Sequence, residues 1–162
     1  MVKFMNPTKG TLTLDQVVDD MIQYVETAPN DKYRVIIGSD SHTNPGKGTT
    51  TFVTAIIIHR VGKGARYYFY RLPQHVVRSL RQRIYTEASL SLNTCGELTK
   101  LLQERQQEWN LEVHVDVGEK GATKSLIKEV VGWITQSGYR ATIKPDSFGA
   151  SKVADRYTRC SS

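Results

Sequence analysis

No acidic residue occurs between Asp40 and Glu87, while Lys47, Arg60, Lys63, Arg66, Arg71, Arg78, Arg81 and Arg83 all lie in that stretch. A block this long with charge of one sign points to a polyanionic partner. Cysteine is also scarce: Cys95 falls in a helical pattern and Cys160 among the last three residues. That spacing excludes a disulfide framework and a cysteine zinc site, and it fits a reducing cytoplasm. The N-terminus lacks the apolar run of a signal peptide, and no apolar stretch approaches the ~20 residues that span a bilayer. The expectation is a cytoplasmic protein with no membrane partner. There is no internal repeat, low-complexity tract or linker.

What is present suits one globular domain over residues 1–162, with 39% hydrophobic and 23% charged residues. A formal net charge of +6 agrees with a nucleic acid partner. Leu14, Val17, Val18, Met21, Ile22 and Val25 recur at helical spacing after a capping Thr13. Tyr33 to Gly38 reads as a buried strand closed by Ser39-Asp40-Ser41-His42 and the turn Asn44-Pro45-Gly46-Lys47-Gly48. Thr51 to Val61 and Tyr67 to Leu72 form a hairpin about Gly62-Lys63-Gly64. A long helix over about 76–108 follows, with Trp109 taken as part of its pattern. Then come a strand at Leu111 to Val117, a helix at Thr123 to Ser137, a strand at Tyr139 to Lys144 and a helix over about 150–158. The predicted order is αβββαβαβα, an α/β fold with a mixed five-stranded sheet and an extra N-terminal helix.

On the long helix Leu80, Ile84, Glu87, Ser91, Thr94, Leu98 and Leu102 share one arc, so Glu87 points inward. An ionised carboxylate facing a core needs a cation or strong donors. Alone it reads as a salt-bridged helix residue, and Asp40 and Asp116 each read alone as strand-end caps. Crossover connections change this, because they make the strands ending at Asp40, Asp116 and Lys144 parallel. Their C-terminal ends then share one edge, where Asp40, Asp116, Asp146 and Glu87 can converge. Such carboxylates repel unless divalent cations neutralise them, and hard oxygen ligands suit Mg²⁺ or Mn²⁺. Two such ions would serve an in-line phosphoryl displacement. The basic stretch would supply phosphate contacts.

These residues resemble a known family. The element order, with an Asp on the first strand, a Glu on the first crossover helix and an Asp closing the fourth strand, is similar to the ribonuclease H-like nuclease fold. The run from Ser39-Asp40 through Asn44-Pro45-Gly46 resembles the region after the first catalytic Asp of ribonucleases H. Val35-Ile36-Ile37-Gly38-Ser39-Asp40-Ser41, Ile58-His59-Arg60-Val61-Gly62-Lys63-Gly64 and Ile143-Lys144-Pro145-Asp146-Ser147-Phe148 resemble the bacterial YkuK family of ribonuclease H-like proteins, over nearly the whole chain. The resemblance implies catalytic and metal-ligand roles for Asp40, Glu87 and Asp116, with Asp146 as the fourth carboxylate and Asp155 in reserve. It implies a divalent-metal-dependent nuclease; the alternative is a nucleic acid binding protein that keeps the fold and cleaves nothing.

Other motifs are weaker. Gly118 to Ser125 resembles a phosphate-binding P-loop, but Thr123 stands where glycine is required. Lys120 and Lys124 at that helix start could still hold a phosphate of a nucleic acid strand. Asp40-Ser41-His42 opens like a calcineurin-type phosphoesterase, yet nothing downstream completes that pattern. Tyr67 to Tyr70 places two rings on each strand face, read as packing before base stacking. Arg78, Arg81 and Arg83 do not all share one helical face, and Lys47, Arg78 and Arg81 are the expected phosphate contacts beside the two lysines. RNA, DNA and hybrid substrates all remain open, as does a homodimer.

Overall fold

The computed structural model describes residues 2–77, 79–117 and 123–144. Three helices are present among them: α1 (Leu14–Glu26), α2 (Leu80–Glu104) and α3 (Lys124–Gln136). Each begins on a hydroxyl cap. Thr13 closes a reciprocal capping box with Gln16, and Ser79 and Thr123 accept from the backbone N–H groups of Gln82 and Leu126. Thr123 is thus a helix cap, in agreement with its poor fit to a P-loop. The helix end at Arg105 is followed by Gln106 with φ of 59°, so Trp109 packs from the connection after α2 and not from the helix itself.

One sheet carries the strands β1 (Phe4–Asn6), β2 (Gly10–Leu12), β3 (Tyr33–Asn44), β4 (Thr49–Arg60), β5 (Gly64–His75), β6 (Leu111–His114) and β7 (Arg140–Thr142), in the order β2-β1-β5-β4-β3-β6-β7. The sheet is therefore seven-stranded, not five-stranded. The extra strands β1 and β2 are three residues each, too short to show alternation; Asn6 closes their turn by accepting from the N–H groups of Thr8 and Lys9. β3, β4 and β5 form an antiparallel meander, and β6 and β7 join parallel to β3 and β6. The parallel placement expected of the three strands is what the sheet shows.

Alternation along β3 defines two faces. Val35 and Ile37 enter the large core with Ile56, Ile58 and Tyr68, covered by α1, α2 and α3 through Val17, Met21, Leu98, Leu102, Val130 and Ile134. Ile36 faces the other way with Val53, Ala55, Ile57 and Phe69. Both faces of β5 are thus packed: Tyr68 and Phe69 are buried on opposite sides, which removes them as a base-stacking platform. On α2, Ile84, Ser91, Thr94, Leu98 and Leu102 are buried as the arc predicts, whereas Leu80, at the first turn, is exposed. Cys95 is also buried, and burial pushes its thiol up to about 12, so it acts as a small core residue. No helix among the described residues is long and apolar enough to cross a membrane.

Candidate active site at the ends of the parallel strands

The pairing of β3 with β6 runs from Val35 opposite Leu111 to Gly38 opposite His114. Asp40, still on β3, and Asp116, two residues past the end of β6, each follow this paired segment by two residues. Asp40 does not end its strand, because β3 continues to Asn44 through antiparallel pairing with β4. Hydrogen bonds from Val115 N to Thr142 O (2.8 Å) and from Lys144 N to Val117 O (3.0 Å) extend the pairing on the other side of Asp116. That extension brings the Lys144 ammonium to 3.0 Å from the Asp116 carboxylate.

Glu87 reaches the same edge from α2. A ladder of small hydroxyl residues sets the helix against β3: Ser39 Oγ lies 2.8 Å from Ser91 Oγ and 2.9 Å from Thr54 Oγ1. One step along the same face, Ser41 donates its hydroxyl to Glu87 Oε2 at 2.6 Å. Arg83, one turn earlier on α2, donates from Nε to Ser41 Oγ (3.2 Å) and from Nη2 to the Ser41 carbonyl (3.4 Å). By register Asp40 projects on the opposite face from Ser41, alongside Val53, so Asp40 and Glu87 approach the strand end from its two sides.

The electrostatics join the three acids. Burial pushes the Glu87 carboxyl up to about 7, the Ser41 hydrogen bond and Arg83 pull it down, and the charges of Asp40 and Asp116 both push it further up. Asp40, Glu87 and Asp116 are thus coupled through their charges. They do not converge on one point: among the described residues no group of three His, Cys, Asp or Glu side chains stands ready to hold a metal ion. Glu87 is turned to Ser41 and Asp116 to Lys144. Asp146 and Asp155, and with them Arg78, Lys120 and the expected last helix, lie outside the described residues.

Lys47 is exposed in the turn between β3 and β4, and Lys124 is exposed in the first turn of α3. Arg81 is exposed but engaged, 2.8 Å from Glu129 and stacked over Tyr85. Its acid partner lies outside the basic stretch, on α3, and other bases of the stretch are likewise paired with acids from elsewhere in the chain. Arg60 and Lys63 meet Asp31, and Arg66 meets Asp20. The stretch is free of acids along the chain and not in space. The sequence assigned no site role to Ser41, Arg83, Ser91 or Lys144, although Arg83 lies in the basic stretch and Ser91 is a small polar residue on the inner arc of α2. His42 is exposed, and His114 is buried beside Glu112, which a bidentate Arg34 holds at 2.7 and 2.8 Å.

A family model described as ribonuclease H-like matches residues 16–159. The chain belongs to the ribonuclease H-like family. It is also 36% identical to the uncharacterized protein YkuK of Bacillus subtilis (strain 168) over 171 aligned positions, which cover 96% of this chain and 96% of that protein. No solved structure matches the chain significantly. Within this ribonuclease H-like chain, the mixed sheet with its antiparallel meander and parallel β6 and β7 carries Asp40 and Asp116, and the first crossover helix carries Glu87.

Proposed function

We propose that the protein is a divalent-metal-dependent nuclease hydrolysing nucleic acid phosphodiesters at Asp40, Glu87 and Asp116, with Asp146 as fourth carboxylate. The observation that carries this reading is the raised Glu87 carboxyl, which burial and two neighbouring acids hold at about 7 at the C-terminal edge of parallel strands. A site that opposes ionisation of its own carboxylate favours added positive charge, and its donors are hard oxygens, so the residues fit Mg²⁺ or Mn²⁺. When bound, a pair of such ions would activate water and stabilise the leaving oxygen. Asp40, Glu87, Asp116 and Asp146 would hold them. The chain's own residues orient the site: Ser41 fixes the Glu87 carboxylate, and the Ser39–Ser91 contact fixes the helix that carries it. Lys47, Lys124, Arg78 and Lys120 supply flanking phosphate contacts, with Arg81 adding what Glu129 leaves of its charge.

The test is a thermal melt of wild type and Asp116→Asn with and without millimolar Mn²⁺. Mn²⁺ is expected to raise the wild-type Tm and leave that of the variant unchanged. A Tm that Mn²⁺ moves in neither protein removes the hydrolytic reading and favours a nucleic acid binding protein on this fold. That second reading has its own support, since Glu87 and Asp116 already have protein partners. Lys144→Met gives a further check. Its ammonium shares an exposed ion pair with Asp116, worth no more than about 1 kcal/mol, so removing a competing cation should lower the Mn²⁺ midpoint by about fivefold or less. A higher midpoint would mean that Lys144 helps build the site.

A further inference from the structure

Among the described residues, several arginines are committed to acids of the fold. Arg34, Arg60, Arg66, Arg81 and Arg105 each lie within ion-pair distance of an Asp or Glu, and so serve the fold as much as any ligand. Arg83 is different: among the described residues its hydrogen bonds go to Ser41 Oγ and to the Ser41 carbonyl, both neutral acceptors. Two of the five guanidinium N–H groups are used in this way, and they fix the planar group without neutralising it. The residue is half-buried at the mouth of the carboxylate edge, one helical turn from Glu87. Its field already reaches Glu87, which it pulls down against the push of burial and of Asp40.

A site lined by Asp40, Glu87 and Asp116 repels the phosphate it must approach. A guanidinium immobilised by neutral partners counters that repulsion and presents further donors in a fork that matches phosphate oxygens. We propose that Arg83 is the phosphate-binding residue of this site, gripping a non-bridging oxygen of the nucleic acid backbone beside Glu87; the assignment rests on the nucleic acid reading of that site. Ser41 is then a positioning residue with two dependants, since it accepts from Arg83 and donates to Glu87. This choice differs from the sequence expectation, in which Arg78 and Arg81 took the contact.

The experiment is fluorescence anisotropy of labelled duplex and single-stranded oligonucleotides between about 50 and 200 mM KCl, the range over which phosphate contacts show as a salt slope. Wild type, Arg83→Gln, Arg83→Lys and Ser41→Ala are titrated in EDTA, and again with millimolar Mn²⁺ in an Asp40→Asn background that blocks cleavage, while wild type with intact Asp40 is followed for cleavage of the same oligonucleotides in Mn²⁺. Arg83→Gln is expected to weaken binding about tenfold, regardless of sequence, and to reduce the slope of log K against log salt by about 0.9, one phosphate contact on duplex DNA. Arg83→Lys keeps the charge and should keep the slope while losing a few-fold in affinity, for want of the fork. Ser41→Ala removes the hydroxyl that holds Arg83 Nε, leaves the bond to the backbone carbonyl and the charge in place, and should keep the wild-type slope. An unchanged slope in Arg83→Gln, or an equal loss of slope in Ser41→Ala, overturns the assignment. A reduced slope in Arg83→Gln with no cleavage by wild type in Mn²⁺ leaves the phosphate contact standing and removes the hydrolytic reading. Cleavage by wild type with an unchanged Arg83→Gln slope does the reverse, and no binding by wild type removes both.

Discussion

Glu87→Gln is expected to stabilise the metal-free protein at pH 8 while reducing Mn²⁺-dependent hydrolysis by more than a hundredfold. The two effects have one cause. Burial and the charges of Asp40 and Asp116 place the Glu87 carboxyl at about 7 in the folded chain, against an ordinary 4.5. Between these values the native state holds a proton that the unfolded chain has released, so stability falls as pH rises through the window and levels off above it. The full shift corresponds to about 3 kcal/mol at 1.36 kcal/mol per unit, and relaxation and water entry reduce that to about 2. Glutamine keeps the hydrogen bond from Ser41 and never ionises. The variant and wild type should therefore melt together near pH 4.5, and the variant should melt some 4–8 °C higher at pH 8, on the scale of 2–4 °C per kcal/mol for a chain of this size. A metal ligand loses more than the 10–100-fold typical of outer partners, hence the expected loss of activity. Equal melting of the two proteins at pH 8 would show that Glu87 is not held in an unfavourable charged state.

Added Mn²⁺ should reverse the order. Divalent charge beside Asp40 and Asp116 favours the ionised carboxylate, so wild type is expected to gain Tm at pH 8 and the variant to gain little. The pH at which Mn²⁺ begins to stabilise wild type should follow the Glu87 proton, with little effect near pH 5 and a full one by pH 8.

Much of this site was legible in the sequence because its signals are local and periodic. Asp40 and Asp116 each follow a short apolar strand, the crossovers make those strands parallel, and the arc Ile84-Glu87-Ser91 turns Glu87 to the sheet. What was not legible depends on contacts between distant segments. β1 and β2 are too short for a pattern, and the partner that defines β1 is β5, some sixty residues away. The one-residue offset between Asp40 and Ser41 decides which of them meets Glu87, and the sequence shows only that both lie at the end of an apolar strand. The pairing within the basic stretch was hidden for the same reason, because Asp31, Asp20 and Glu129 reach it from outside the sequence window.

Asp20 shows how far that effect goes, and its removal should cost the fold more than any surface charge. In sequence it belongs to the polar residues of an amphipathic helix; in the structure it is 7% exposed, on the side of α1 that meets β5. It accepts a short hydrogen bond from the Tyr68 hydroxyl, and it pairs with Arg66 at 3.2 Å and Lys9 at 3.3 Å. Burial, and then the Asp20 carboxylate, hold the Tyr68 hydroxyl far above its ordinary titration range, so it remains a donor at every working pH. Asp20→Ala leaves that hydroxyl buried without its acceptor, whereas Arg66 and Lys9 are partly exposed and can return to water. The expected loss is about 3 kcal/mol, near 6–12 °C in Tm, on the same scale per kcal/mol as above. Asp20→Asn retains an acceptor and should lose about half as much, while Lys9→Met should lose under 1 kcal/mol because its partner keeps Tyr68 and Arg66. Losses of equal size in Asp20→Ala and Lys9→Met would place the energy in the ion pair; the structure places it in the buried hydroxyl.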